Sequence, residues 1–439
     1  MSKYVIEGGV ALRGQVEIFG AKNASFKLMI AALLADEPSE LSNVSYVRDA
    51  VSVKQIIESL GGEAEFPGGH IVKVSGQGLS ENSVGSNLGQ LTRASTLLIP
   101  VLLHRFKEAK VPFPGGDQIG ERPLERHLEA LKALGVKMLV KDKFIEAKAE
   151  RLTGADVTFS KNTHTGTEMM LLASSLAKGK TVIRNAAQEP EVDDLIAFLN
   201  KMGSQITRLE PRTIEVLGVE SLKGANHKVI FDRNEAVTFA CMALGTRGDI
   251  TVRNAHKETL QSFLDKVGEA GGGWEEVEGG IRFFFQGGLK ATQVQTAPYP
   301  GFMTDWQAIW ATLMTQAKGV STIHETVFEN RFTYVPLLEK FGANVKRISL
   351  ELAEPEKIYN FNWTGQSQNF YHASAVAGPT KLHAAKTEVI DIRTGATLCL
   401  AALIAAGQSE LNNIELIERG YENLEGRLAR LGARIGKSD

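Results

Sequence analysis

Three features of this 439-residue chain predict an α/β protein of two globules, each holding three copies of one supersecondary unit. An amphipathic helix that closes on a hydrophobe–Gly pair recurs six times. A helix of small and apolar residues precedes each one. Short strands and polar loops link them in one constant order: helix, strand, helix, strands. Repetition at a roughly constant period marks one unit copied along the chain. Helices that are apolar all round belong inside a core. Six such helices therefore fit two globules of three units each.

The first unit reads as helix Ala24–Ala35, strand Glu40–Val44, helix Val53–Leu60, then strands Glu63–Phe66 and His70–Val74. The third repeats the order with Thr167–Ala177, Lys180–Arg184, Val192–Met202, Ser204–Leu209 and Thr213–Leu217. The second helices close on Gly61, Gly135, Gly203, Gly268, Gly342 and Gly432, where a glycine C-cap belongs. The seam falls near Ala225–Asp232 and divides residues 22–231 from 1–21 plus 232–439. A strand within Tyr4–Val16 is free to join either globule. The polar, aromatic stretch from Leu350 to Asp391 breaks the repeat and reads as a surface insertion with its own small hairpin, or as a lid or partner element.

A net charge of −2 argues against a general nucleic-acid binder. Cys241 and Cys399 lie in apolar helical stretches and read as buried, inert thiols of a reducing cytosol. The longest apolar run, near Leu97–Leu103, is too short to span a bilayer, and the first residues carry no apolar signal region. A soluble cytoplasmic protein is expected. The histidines show no metal-ligand spacing, and no Walker loop or dinucleotide fingerprint is present.

Charge at the helix starts carries the functional signal. The first helices open with Lys22-Asn23, Arg93-Ala-Ser95, Gly166-Thr-Glu168, Asn234-Glu235, Thr304-Asp305 and Arg393-Thr394. The second open near Arg48, Arg122-Pro123, Glu189-Pro190, Lys257, Arg331 and Arg419. A cation beside the positive end of a helix dipole is unfavourable by a few tenths of a kcal/mol or more. Repeated in so many units, it points to an anion held between helix ends; salt bridges to nearby Asp and Glu are the alternative. Asp305 reads either as a helix cap or, among those cations, as a general base. The loop Pro114-Gly-Gly-Asp-Gln-Ile-Gly-Glu-Arg-Pro123 has backbone freedom to close on a ligand and leaves Asp117 at its tip, although any flexible turn would look similar.

These residues resemble the UDP-N-acetylglucosamine 1-carboxyvinyltransferase family of enolpyruvyl transferases, over essentially the full length. The resemblance rests on Gly20-Ala-Lys-Asn-Ala24, Arg93-Ala-Ser95, the Pro114–Pro123 loop and Glu189-Pro-Glu191. It continues through Thr304-Asp305, Glu325-Thr-Val-Phe-Glu-Asn-Arg-Phe332, Asp391-Ile-Arg393 and Arg419-Gly-Tyr-Glu422. It implies a two-domain inside-out α/β barrel of six βαβαββ-type units around buried helices. It also implies transfer of the enolpyruvyl group of phosphoenolpyruvate to UDP-N-acetylglucosamine, the first committed step of peptidoglycan synthesis, without metal or organic cofactor. No obligate protein partner is implied. Shikimate 3-phosphate or another nucleotide remains the alternative acceptor.

By the same resemblance, Lys22, Arg122 and Arg419 would hold the phosphate and carboxylate of phosphoenolpyruvate, with Asn23 and Arg93 beside them. Arg122, Pro123, Leu124, Glu125 and Arg126, the Lys161 loop with Thr163 and His164, and Asp305 and Val327 would hold the UDP-sugar. Arg331 and Arg393 would add cations at equivalent helix ends, and the two globules would come together around substrate. Asp305 would deprotonate the sugar 3-hydroxyl. Three departures stand out. Asp117 occupies the loop tip where the family usually carries Cys, Asn162-Thr163-His164-Thr165 replaces a smaller loop, and the Leu350–Val389 insertion is longer than usual.

Overall fold

A computed structural model describes residues 2–114 and 124–438. They form two compact units, one from residues 2–18 with 231–438 and the other from 19–114 with 124–230. In each unit buried helices form the interior and three sheets cover them.

In the unit of residues 19–230, helices Lys22–Ala32, Leu98–Phe106 and His164–Ser175 are the buried set. Amphipathic helices Arg48–Ser59, Glu125–Ala133 and Pro190–Lys201 bury one face each. The 164–175 helix begins three residues before the predicted start, because Thr163 caps it by accepting the Gly166 N–H at 3.2 Å. Strands Lys180–Arg184 and Thr213–Leu217 lie where apolar–polar alternation puts them, paired antiparallel with Ile183 opposite Ile214.

In the other unit the buried helices are Arg233–Gly245, Gln307–Met314 and Ile392–Ile404. Small residues let them approach closely. A Cβ on Gly245 would lie 3.0 Å from side-chain atoms of both Leu400 and Ile404. Trp306, 1% exposed, donates its indole N–H to Asn234 Oδ1 at 2.9 Å and packs edge-on to Phe263 and Phe302. That anchor fixes the chain on which Asp305 stands, and truncating it would cost about 3–5 kcal/mol.

Sheet pairing shows how the chain passes between units. Strand Arg13–Glu17 pairs parallel with Asp249–Arg253, although it leads into the helix Lys22–Ala32. Strand Asn226–Lys228 does the reverse: it pairs with Ser39–Ser42 yet leads into the helix Arg233–Gly245. The predicted single strand within Tyr4–Val16 is thus two strands in two sheets. Its first half, Lys3–Glu7, lies between Gln408–Asn412 and Arg434–Ser438 and supplies the last repeat's missing hairpin strand.

Five of the predicted closing glycines, Gly61, Gly135, Gly203, Gly342 and Gly432, have positive φ. Gly61 donates to Glu58 O and Gly62 to Ile57 O, a Schellman closure. The fourth helix differs: it runs through Gly268 to Glu269, and Gly271 takes the left-handed position.

The insertion carries no hairpin of its own. Strand Ala373–Gly378 pairs with Gly319–His324 and Asn344–Ile348, so it is the fifth repeat's own hairpin strand. Strand Lys386–Glu388 opens the sixth repeat by pairing with Gln408–Asn412. What is inserted is a pair of short helical turns, Pro355–Ile358 and Gly365–Asn369, around stacked Tyr359, Phe361 and Trp363. In place of the expected hairpin, Tyr359 stacks on Phe361 and on Trp363.

Candidate active site

Asp305 is the second residue of the short helix Thr304–Trp306, and it does not cap it. Its carboxylate faces two guanidinium groups. Oδ1 accepts from Arg331 at 2.6 Å and Oδ2 from Arg393 at 3.1 Å. Arg331 is 8% exposed, so the pair is shielded from water. Arg393 comes from the first turn of Ile392–Ile404, whose cap Asp391 accepts the Arg393 and Thr394 N–H groups at 2.9 Å. Burial opposes the Arg393 charge, but the Asp305 carboxylate, Tyr421 and Asp232 together outweigh it, so its pKa lies above the ordinary value. Arg393 also donates to the Tyr421 hydroxyl at 3.3 Å, and that hydroxyl is 2.8 Å from Thr238 Oγ1. Arg419 lies two residues before Tyr421 on the same turn.

Sequence reasoning missed the residue that organises this cluster. Glu325 accepts the Thr304 hydroxyl at 2.8 Å and the backbone N–H groups of Val327 and Phe328 at 2.7 and 3.0 Å. One buried carboxylate thus ties the residue before Asp305 to the loop bearing Val327. Burial raises the Glu325 pKa despite Arg331 and these hydrogen bonds. Arg233, which the sequence reading did not single out, is buried. It opens its helix with its guanidinium 5.1 Å from the Tyr299 ring centre, one residue before the pair that the sequence singled out.

In the other unit Lys22 and Asn23 begin the helix Lys22–Ala32. Lys22 Nζ lies 2.8 Å from Asp49 Oδ2, in the first turn of Arg48–Ser59. Arg93 opens the short helix Arg93–Leu97, capped by Thr92. Leu124 is buried just before Glu125–Ala133, Glu125 is exposed and Arg126 half-buried. Lys161 is half-buried ahead of Thr163, whose hydroxyl is 3.3 Å from His127 Nε2. His164 begins its helix beside Glu168 and Lys27. Asp117, Arg122 and Pro123 lie outside the described residues.

Cys241 and Cys399 are buried, and burial pushes the Cys399 thiol up to about 12. Among the described residues no helix is long and apolar enough to cross a membrane.

Residues 6–428 match the family model described as EPSP synthase (3-phosphoshikimate 1-carboxyvinyltransferase). The chain is 39% identical over 437 residues to the UDP-N-acetylglucosamine 1-carboxyvinyltransferase of Halothermothrix orenii, covering 100% of both. It is 39% identical over 437 residues to the protein of that name from Acinetobacter baylyi, covering 99% of each. Among solved structures, the enolpyruvyl transferase NikO from Streptomyces tendae shares the fold with a TM-score of 0.86 and 23% identity, covering 100% of this chain and 99% of that one. EPSP synthase from Acinetobacter baumannii does so with a TM-score of 0.73 and 16% identity, covering 100% of both.

Proposed function

Since this chain belongs to the UDP-N-acetylglucosamine 1-carboxyvinyltransferase family, we propose that its helix-end cations and Asp305 carry out that family's reaction. The protein is an enolpyruvyl transferase, acting on phosphoenolpyruvate and the 3-hydroxyl of UDP-N-acetylglucosamine with release of phosphate. The observation that carries the assignment of roles is the Asp305 carboxylate held by Arg331 and Arg393 at the start of a buried helix. A proton acceptor there stands among groups suited to anions.

In this reading the sugar 3-hydroxyl forms a bond to C2 of phosphoenolpyruvate while its proton passes to Asp305. C3 takes a proton from Asp117, giving a tetrahedral ketal. Loss of a proton from C3 and departure of phosphate from C2 restore the double bond. Lys22, Arg122 and Arg419, with Asn23 and Arg93, hold the phosphate and carboxylate, where fixed cations stabilise the shifting charge. Arg122 to Arg126, Lys161, Thr163, His164 and Val327 hold the UDP-sugar. A carboxylate with both oxygens ion-paired is a poor base. An arriving substrate anion offers Arg331 or Arg393 another partner and so frees Asp305 for the proton.

Phosphate release from phosphoenolpyruvate, measured with a panel of acceptors, tests the reading. Turnover is expected with UDP-N-acetylglucosamine. Turnover with shikimate 3-phosphate or another nucleotide sugar, and none with UDP-N-acetylglucosamine, would refute it.

A further inference from the structure

Three ionisable side chains meet inside a core that the sequence reads as apolar. Lys27, on the helix Lys22–Ala32, and Glu168, on the helix His164–Ser175, form a 2.6 Å ion pair with side chains 6% and 0% exposed. His164, one helical turn before Glu168, joins them. Its Nε2 is 3.0 Å from the same Glu168 oxygen and 3.2 Å from Lys27 Nζ. The imidazole is 26% exposed, and among the described residues no hydrogen bond reaches its Nδ1. The inner nitrogen is therefore fixed while the outer one is left for something else.

Stability gives little reason for such a cluster. A buried ion pair is costly to desolvate, and apolar residues of similar volume often serve as well. Among the described residues, Glu168 Oε2 is also buried without a hydrogen-bond partner. What the pair does change is the imidazole it holds.

We propose that Lys27 and Glu168 are positioning residues that fix His164 with its Nδ1–H presented to the diphosphate of the acceptor, so that acceptor affinity falls as pH rises. This inference rests on the reading of the acceptor as UDP-N-acetylglucosamine. The groups facing the ring come from three helices: Glu168 on its own, Lys27 on Lys22–Ala32, and Glu189 at the cap of Pro190–Lys201. Burial lowers the His164 pKa, Glu168 raises it, Lys27 lowers it and Glu189 raises it, with a net shift upward. His127 faces the same turn through Thr163. Below its pKa the ring is a cation with both nitrogens donating. Above it, a proton kept on Nε2 for Glu168 leaves Nδ1 as an acceptor, which repels a diphosphate oxygen.

Calorimetric titration with UDP-N-acetylglucosamine, without phosphoenolpyruvate, from about pH 5.5 to 8.5 tests this. The diphosphate diester has no proton titrating in that window, so the protein supplies any dependence. The Kd should rise about tenfold as the histidine loses its proton. His164→Gln should give a flat profile. Glu168→Gln should move the midpoint to lower pH, and His127→Gln should keep the native curve. A flat native profile, or an unchanged profile in His164→Gln, would overturn the proposal. These two measurements decide it even if Glu168→Gln does not fold. Phosphate release in the same samples separates the two claims. Turnover with UDP-N-acetylglucosamine and a pH-flat affinity rejects this inference alone. Turnover only with another acceptor rejects the proposed function and this inference together.

Discussion

Asp305 and Arg393 stand at the starts of two different buried helical segments, and their 3.1 Å contact joins those segments inside one unit. Arg331 takes the other carboxylate oxygen at 2.6 Å, so the aspartate is held in place before any substrate arrives. Fixed geometry of this kind favours a proton acceptor that must meet one particular hydroxyl.

Asp305→Asn keeps the size and one acceptor oxygen but removes the basic oxygen. Phosphate release should fall about a hundredfold to ten-thousandfold, the range for general-base catalysis. Binding of UDP-N-acetylglucosamine should change far less. A variant that retains turnover within about threefold of the native enzyme would show that Asp305 is not the base.

Glu325 should make its local stability fall with pH. Its pKa is higher in the folded protein than its ordinary value of 4.5, so the folded state holds the proton more tightly. The stability linked to that proton is fully present below the unfolded value and is lost as pH rises through the folded one. Glu325→Gln keeps an acceptor for the Val327 and Phe328 N–H groups but has no such proton. The stability of Glu325→Gln relative to the native protein should therefore rise from about pH 4.5 upward, measured by urea unfolding. A constant difference between acid and neutral pH would count against it. Glu325→Leu leaves those N–H groups unpaired and should be about 1–3 kcal/mol less stable than Glu325→Gln at any pH, since neither carries the proton.

Asp117 should make the enzyme resistant to epoxides of the fosfomycin type, which react with a thiolate at the loop tip. A carboxylate opens an epoxide far more slowly, and both cysteines of this chain are buried. Asp117→Cys should gain time-dependent inactivation with one covalent adduct. Native turnover should fall as pH rises, through an acid group that this variant lacks. Inactivation of the native enzyme would refute the assignment.

The repeat was legible because each unit states its period twice, once in apolar spacing and once in a closing glycine. Lys180–Arg184 and Thr213–Leu217 lay within one sheet and alternated plainly, so even their ends were readable. Pairings set by tertiary contact were not readable. Nothing local distinguishes Arg13–Glu17, which joins a sheet other than the one its following helix covers. Lys27 and Glu168 were hidden for a similar reason: each looks like an isolated charge on an apolar helix until the two helices bring them together. Arg331, Arg393 and Asp305 were each legible as candidate site residues, but their pairing was not, and Arg331 lies in the loop four residues before Val335–Glu339 rather than at the helix start expected for it. Shared binding is a property of three distant segments rather than of any one of them.

The strand Lys3–Glu7 is an inner strand whose neighbours on both sides are made about 400 residues later. On a ribosome, that stretch leaves the exit tunnel long before either neighbour exists. Its backbone donors and acceptors stay open until those neighbours exist, and the sheet can close only once Arg434–Ser438 has been made. Extensions that shield this stretch, or chaperones that bind it, would therefore govern the yield of native protein more than changes in the much earlier-closing pair Lys180–Arg184 and Thr213–Leu217.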